Sequence, residues 1–362
     1  MTERHARPLP IELDAIDCDW LTAALRTRAA GVTVKAMEVV DINRGTCTKV
    51  RLRLEMDAMG RRAGIPETVM LKGGFEPHSR DMWYMHEAEV RAYRDVNPLL
   101  RLPSPACYFA DYDSDRRQGI VIMEDLVARG VTFCSALKPQ SYEQAARRLR
   151  ELAQFHAKTW GSGELEAGGR WSWASDMSER SRVYFNDWLK PDTWQRFLAA
   201  PRGAAASIHF HDRSWLKDAL DRMAIYSHRL PHCLVHGDTH LGNLYIDPDG
   251  TPGFFDSQPH RAPGMMEITY HLTGGLDTAD RRRWDRALVQ HYLDALRGQG
   301  VTPPAFDDAM HQFGVFLTLG YCIFMVNESF FQPEAINTAY TARFSAAMID
   351  HDTAGLLQSI RD

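Results

Sequence analysis

Hydrophobic and polar positions change their rhythm about a third of the way along the chain. Residues 11–30 place Leu13, Ile16, Trp20, Leu21 and Leu25 near helical spacing, which predicts a helix. VTVKAMEVVDI and TKVRLRLEM, within 32–56, combine β-branched residues with partial alternation and predict two strands joined by a hairpin turn at NRGTC. The polar link GRRAGIPE leads into TVMLKGG, a strand at 68–72, and MWYMHEAEVRAYRDV predicts a helix over 82–96. LPSPACYFADYD and GIVIMEDL (119–126) supply two further strands. Beyond Asp125 the pattern turns helical. SYEQAARRLRELAQFHAKTW predicts an amphipathic helix over 141–160 with Ser141 as N-cap, and most of 176–230 and 277–362 follows, broken by Gly and Pro. The exception is LVHGDTHLGNLYIDPDGTPGFFDSQ, residues 234–258.

This pattern predicts an α+β fold with a β-rich N-terminal lobe at 1–125 and a mostly helical C-terminal lobe at 126–362. The length of 362 residues suits two lobes better than one. Composition adds exclusions. With a net charge of -5 there is no positive field to hold a phosphate backbone, so no nucleic-acid partner is expected. The apolar run FGVFLTLGYCIFMV (313–326) is too short for a bilayer and reads as a buried helix, so no membrane is expected either. MTERHARPLP has no apolar signal-peptide core. The six Cys (18, 47, 107, 134, 233, 322) form no CxxC pair. Free thiols in a cytoplasmic protein are the simplest account.

The exceptional stretch carries the chemistry. LYI and GFF flank DPDGTP, which predicts a β-hairpin. With Asp249 and Gly250 as its central turn residues, partner numbers sum to 499, and Asn243 falls opposite Asp256 at the open end; other turn choices shift the register by a residue or two but keep the two near. Asp238 lies in the loop that enters the hairpin. Oxygen ligands from Asn243 and Asp256 suit magnesium, and Asp238 suits a base that takes a proton from an attacking hydroxyl. The spacing matches the H-R-D-x-x-x-x-N arrangement of kinase catalytic loops, with His236-Gly237-Asp238 in place of H-R-D. A second reading takes the alternation of His236, Asp238 and His240 as three ligands of a zinc or iron hydrolase. A third takes the stretch as ordinary turn chemistry.

Phosphoryl transfer needs a cation on the nucleotide phosphates and a carboxylate to hold it. Lys72 ends an apolar strand, and HEAEVRAY supplies Glu87 and Glu89, of which Glu89 is the expected partner. The Arg44-Gly45-Thr46-Cys47-Thr48 turn is the candidate phosphate roof, through backbone N–H groups at Gly45 and Thr46 and Thr hydroxyls. A plain turn is the competing reading.

HGDTHLGNLYI, FFDSQ, VMLKGG, HEAEVRAY, IVIMEDL and LAQFHAKTW, in this arrangement, resemble the aminoglycoside phosphotransferase and choline-kinase-like superfamily, its ecdysteroid-kinase-like branch above all. The resemblance spans roughly residues 10–350. It implies a two-lobed protein-kinase-like fold and transfer of phosphate from ATP, with Mg2+, to a hydroxyl of a small-molecule acceptor. By position it makes Asp238 the base, Asn243 and Asp256 the magnesium ligands, Lys72 the phosphate cation and Glu89 its partner. It makes Met123-Glu124-Asp125-Leu126 the hinge to adenine. Two departures stand out. Glu267 occupies the place of a loop-bracing Asp, and Ser257-Gln258 follow Asp256 in place of Phe-Gly, which disfavours a protein substrate. The resemblance also casts His236 as a loop brace, and sets His240 between a γ-phosphate contact and a structural hydrogen bond. A nucleotide-binding module without turnover is the other outcome this family pattern allows.

The acceptor remains open. Residues 160–230 hold Trp160, Trp171, Trp173, Trp188, Trp194 and Trp215, with Asp176, Glu179, Asp187 and Asp192. These read either as an aromatic, acidic pocket or as core tryptophans with solvated carboxylates. NESFFQPE (327–334) is a candidate cover through Asn327 and Glu328.

Overall fold

The computed structural model describes residues 7–361, apart from the side chains of residues 184 and 186–188. Residues 1–6 of the MTERHARPLP stretch, and the side chains of Asp187 and Trp188, thus lie outside the described residues. The chain forms two compact units: Met1–Thr132 with Ile246–Gln258, and Phe133–Tyr245 with Pro259–Asp362. The segment that carries Asp256 therefore returns to the first unit, whereas a single division at 125/126 would leave it in the second.

Five antiparallel strands build the first unit: β1 (Val34–Asn43), β2 (Thr48–Met56), β3 (Thr68–Gly73), β4 (Cys107–Asp113) and β5 (Gln118–Glu124). Their order is β1-β2-β3-β5-β4. In β2, Thr48, Val50, Leu52, Leu54 and Met56 are buried and alternate with Lys49, Arg51, Arg53 and Glu55. The period of a strand puts each set on one face. Val50, Leu52 and Leu54 join Val69, Leu71, Ile120 and Ile122 in a core closed by Trp20, Leu21 and Leu25 of the helix Cys18–Arg26. On the other face Val121 and Met123 pack against Val90 and Tyr93, so the helix Trp83–Arg91 and its continuation cover that side. Lys49, Lys72 and Val121 are successive cross-strand partners and share this second face.

Three expectations need correcting. The helix expected over 11–30 is a 3-10 turn at Leu13–Ala15 followed by Cys18–Arg26. Asp17 starts the true helix because its carboxylate accepts the Trp20 N–H at 2.6 Å, satisfying an otherwise orphaned donor. The GRRAGIPE link begins inside a short helix, Ala58–Arg62, capped by Asp57 in the same way. The hairpin turn is also shifted. Gly250 N–H donates to the Asp247 carbonyl and Asp247 N–H to the Thr251 carbonyl, both at 2.8 Å, and Gly250 sits at φ +84°. This is a three-residue loop with Gly in the left-handed position, and its partners sum to 498. The opposition of Asn243 to Asp256 therefore does not follow from the turn.

The second unit is helical. Ser141 caps Tyr142–Ala157 with a full capping box, in which Gln144 returns the bond. Phe306–Val326 is the one helix among the described residues long and apolar enough to cross a membrane. It is almost wholly buried, packed against Gly264–Gly275 and Glu334–Asp350. Two short strands, Cys233–Val235 and His260–Ala262, pair antiparallel with Val235 opposite His260. The first delivers the chain into the loop that begins at His236.

Candidate active site

In the first unit, Lys72 comes off the second face of β3. Its Nζ donates to Glu89 Oε1 at 2.7 Å and to Asp256 Oδ1 at 2.6 Å. Lys49 donates to Asp256 Oδ2 at 3.0 Å. The Lys72 and Glu89 side chains are each only 5% exposed, so neither charge would be tolerated without the other. Burial works against the Lys72 ammonium, but Asp256 and Glu89 outweigh it and hold it well above its ordinary value. Burial also pushes Asp256 up, yet Lys49 and Lys72 together hold it far below the usual carboxylate range. Glu89 moves the other way: burial lifts it against the pull of Lys72, whose charge is shared with Asp256. Asp256 adopts φ +55°, in the left-handed region where Asp and Asn are among the tolerated non-glycine residues. Glu87, the alternative to Glu89, bonds Arg91 one turn on and stays partly exposed.

The β1–β2 loop is anchored from below. His78 Nε2 bonds the Gly45 carbonyl at 2.9 Å, and Ser79 Oγ donates to the Thr46 carbonyl at 3.4 Å. Thr48, fully buried, donates its hydroxyl to Glu76 at 2.9 Å, so that hydroxyl serves the loop's own structure. At the end of β5, Glu124 N–H donates to the Ala106 carbonyl at 2.8 Å. Asp125 accepts the N–H groups of Val127 and Ala128 and the Arg51 guanidinium. Leu126, the first residue of the helix Leu126–Arg129, thereby keeps an N–H with no partner inside that helix.

In the second unit, the loop 236–243 is held at nearly every residue. Gly237 takes φ +89°, a conformation that favours glycine. Glu267 accepts the N–H groups of His236 at 3.0 Å and Gly237 at 2.7 Å, and His156 Nε2 donates to it at 2.9 Å. Burial pushes Glu267 up, but these donors and the His236 ring outweigh it and keep it charged. His236 Nδ1 accepts the Asp238 N–H at 3.3 Å, which makes His236 a brace of the loop. Asn243 Nδ2 donates to Asp238 Oδ2 at 2.8 Å and to the Asp238 carbonyl at 3.0 Å, while Tyr270 donates to Oδ1 at 3.0 Å. Asp238 remains 32% exposed amid this buried frame. His240 Nδ1 accepts the Gly242 N–H at 3.0 Å, so its Nε2 carries the proton, 3.6 Å from Asp238 Oδ2. The His-Asp-His alternation lies in a loop rather than on one strand face. Among the described residues no three His, Cys, Asp or Glu side chains gather as a metal site, which removes the geometric basis of the hydrolase reading.

Lys49, Tyr270 and His156 are members that the linear pattern did not single out. Lys49 left a trace as a polar position alternating on β2, and His156 lies within the LAQFHAKTW piece of the resemblance. Within the tryptophan-rich segment, Trp160, Trp173 and Trp215 are partly exposed. Trp171 and Trp194 are buried, Asp176 caps the helix Met177–Trp188, and Glu179 pairs with Arg182. Asn327 and Glu328 are likewise engaged, by Asn337 and Arg196.

The APH family model, described as the phosphotransferase enzyme family, matches residues 86–304, more than half of the chain. No curated protein matches the sequence. A protein of Ralstonia eutropha JMP134 assigned to the aminoglycoside phosphotransferases shares the fold at 14% identity and TM-score 0.54, over 96% of this chain and 99% of that one. A choline/ethanolamine kinase family protein of Mesorhizobium loti does so at 13% identity and TM-score 0.50, over 95% and 98%. APH(2″)-IIIa, solved with GDP and kanamycin, does so at 10% identity and TM-score 0.50, over 92% and 98%. The shared architecture is a β-sheet lobe and a helical lobe of the protein-kinase type.

Proposed function

The chain belongs to the phosphotransferase enzyme family, and from that premise we propose that it is an ATP- and magnesium-dependent kinase of a small hydroxylated molecule. The observation that carries this reading is the buried Lys72 ammonium, fixed between Glu89 and Asp256 at 2.7 and 2.6 Å. A buried cation is costly to keep, and one that is aimed by two carboxylates suits the phosphates of a nucleotide. Gly45 and Thr46 cover those phosphates with backbone N–H groups, their carbonyls being turned to His78 and Ser79. Lys49, beside Lys72, adds a second cation to this end of the sheet. The Glu124 carbonyl and the Leu126 N–H bind the adenine edge.

Asn243 and Asp256 fit magnesium by donor chemistry, both offering oxygen; Asn243 spends its amide nitrogen on Asp238 and keeps its carbonyl oxygen for a cation. Magnesium, when bound, neutralises charge on the phosphates. Asp238 takes the proton of the acceptor hydroxyl while the acceptor oxygen bonds the γ-phosphorus and the bond to the ADP oxygen breaks. Catalysis then rests mainly on positioning and charge stabilisation. Hydroxylated amines are the first acceptors to try, because one structural neighbour is named for the choline/ethanolamine kinase family and another was solved with kanamycin. The test is incubation with Mg-ATP and metabolite pools, read as a mass gain of one phosphoryl group. If no pool component gains it and no ADP forms, the kinase reading fails.

A further inference from the structure

We propose that Tyr270 is a positioning residue for Asp238, fixing the carboxylate that receives the acceptor proton; the proposal rests on the kinase reading above. Glu267, Tyr270 and His271 lie at i, i+3 and i+4 of the helix Gly264–Gly275, hence on one face. That face holds four successive loop residues. Glu267 accepts the N–H groups of His236 and Gly237, Tyr270 donates its hydroxyl to the side chain of Asp238, and His271 Nδ1 donates to the Thr239 carbonyl at 3.1 Å. Three of these contacts fix backbone. Among these contacts of the helix, the Tyr270 hydroxyl is the one that reaches the side chain assigned to take the proton.

Its consequence is geometric. With Tyr270 on Oδ1 and Asn243 on Oδ2, the Asp238 carboxylate is gripped at both oxygens and cannot turn about its Cβ–Cγ bond without breaking a hydrogen bond. Each oxygen keeps one further lone pair for an incoming proton. Burial and the nearby Asp238 charge hold the phenol well above its ordinary range, so Tyr270 keeps its proton and remains a donor throughout. The ring cannot drift either. It stacks on Phe324 at 5.7 Å and 9°, and Phe324 stacks on Tyr340 at 4.1 Å and 23°. All three rings are buried. They are therefore a mount for the hydroxyl rather than a surface offered to the acceptor, and Tyr270 acts through Asp238.

Tyr270→Phe keeps the ring stack and removes only the oxygen. The variant, Asp238→Asn, the double variant and the unaltered chain are assayed for ADP release from Mg-ATP. Water alone, choline, ethanolamine, 1-aminopropan-2-ol and kanamycin serve as acceptors. Thermal unfolding and the thermal shift with Mg-AMP-PNP are measured in parallel. Loss of a hydrogen bond to a charged group predicts that kcat falls about tenfold in Tyr270→Phe while the KM for ATP and the AMP-PNP shift stay as in the parent. Because the effect runs through Asp238, Tyr270→Phe adds nothing further in the Asp238→Asn background. A packing role would instead lower activity equally in both backgrounds and alter the unfolding temperature. Full kcat in Tyr270→Phe, or an equal loss in both backgrounds, overturns the proposal and leaves the kinase reading standing. No ADP from the unaltered chain with these acceptors and with the metabolite pools overturns the kinase reading, and this proposal with it.

Discussion

Glu267 accepts the backbone N–H of Gly237 at 2.7 Å from inside a fully buried helix. Its second oxygen serves His236 and His156, so one carboxylate ties the loop to two helices of the same unit. The extra methylene, relative to the Asp expected by family resemblance, gives the reach for this double duty.

Glu267→Gln removes the charge and turns an amide donor toward other donors. We expect a loss of roughly 3 kcal/mol of stability, within the range for an unsatisfied buried hydrogen-bonding group. Urea unfolding of the variant checks this. An unchanged midpoint with unchanged turnover would remove Glu267 from the loop's support.

Lys72→Met strands Glu89 as a buried, unpaired carboxylate. The expected cost is about 3–5 kcal/mol, together with loss of phosphoryl transfer. Adding Glu89→Leu removes the stranded charge and restores most of the stability but none of the activity. If the double variant is no more stable than the single one, the pair is not the source of the loss.

Asp238→Asn preserves Mg-ATP binding and lowers turnover by roughly 10²–10⁴, the range for a general base. Steady-state ADP release and a nucleotide thermal shift separate the two effects. A variant as fast as the parent on the true acceptor would falsify the assignment.

Acid should destabilise the fold before carboxylates protonate. Burial lowers His86 and His271 to about 4 each, with Lys72 adding to the effect at His86 and Arg148 at His271. Between pH 6.5 and 4 the unfolded chain therefore binds more protons at these sites than the folded one, and stability falls as pH drops. Each imidazole contributes up to about 1.4 kcal/mol per pH unit across that window. A urea midpoint that stays level from pH 6.5 to 4.5 would contradict two neutral buried histidines.

Several parts of this arrangement were legible in linear order because their signals are local. Alternation in TKVRLRLEM reveals a half-buried strand, and the placement of Lys72 at the end of an apolar run flags a charge that needs a partner. Glu89 was separable from Glu87 only as an expectation; burial decided it. The hairpin register missed by one residue because DPDG admits more than one turn, and hydrogen bonding at Asp247 and Thr251 chose among them. The helix Gly264–Gly275 left no periodic trace at all. Every one of its residues is buried, so no polar face marks its rhythm.

Sequence by itself determined the strand-rich and helix-rich halves, the spacing from Asp238 to Asn243, and the residue types able to handle protons and phosphate, because each depends on neighbours a few positions apart. Only the tertiary structure decided that Lys49 reaches Asp256 across 207 positions and that Tyr270 reaches Asp238 across 32. Such contacts are set by how helices and strands pack, and packing joins residues whose separation along the chain carries no local signal.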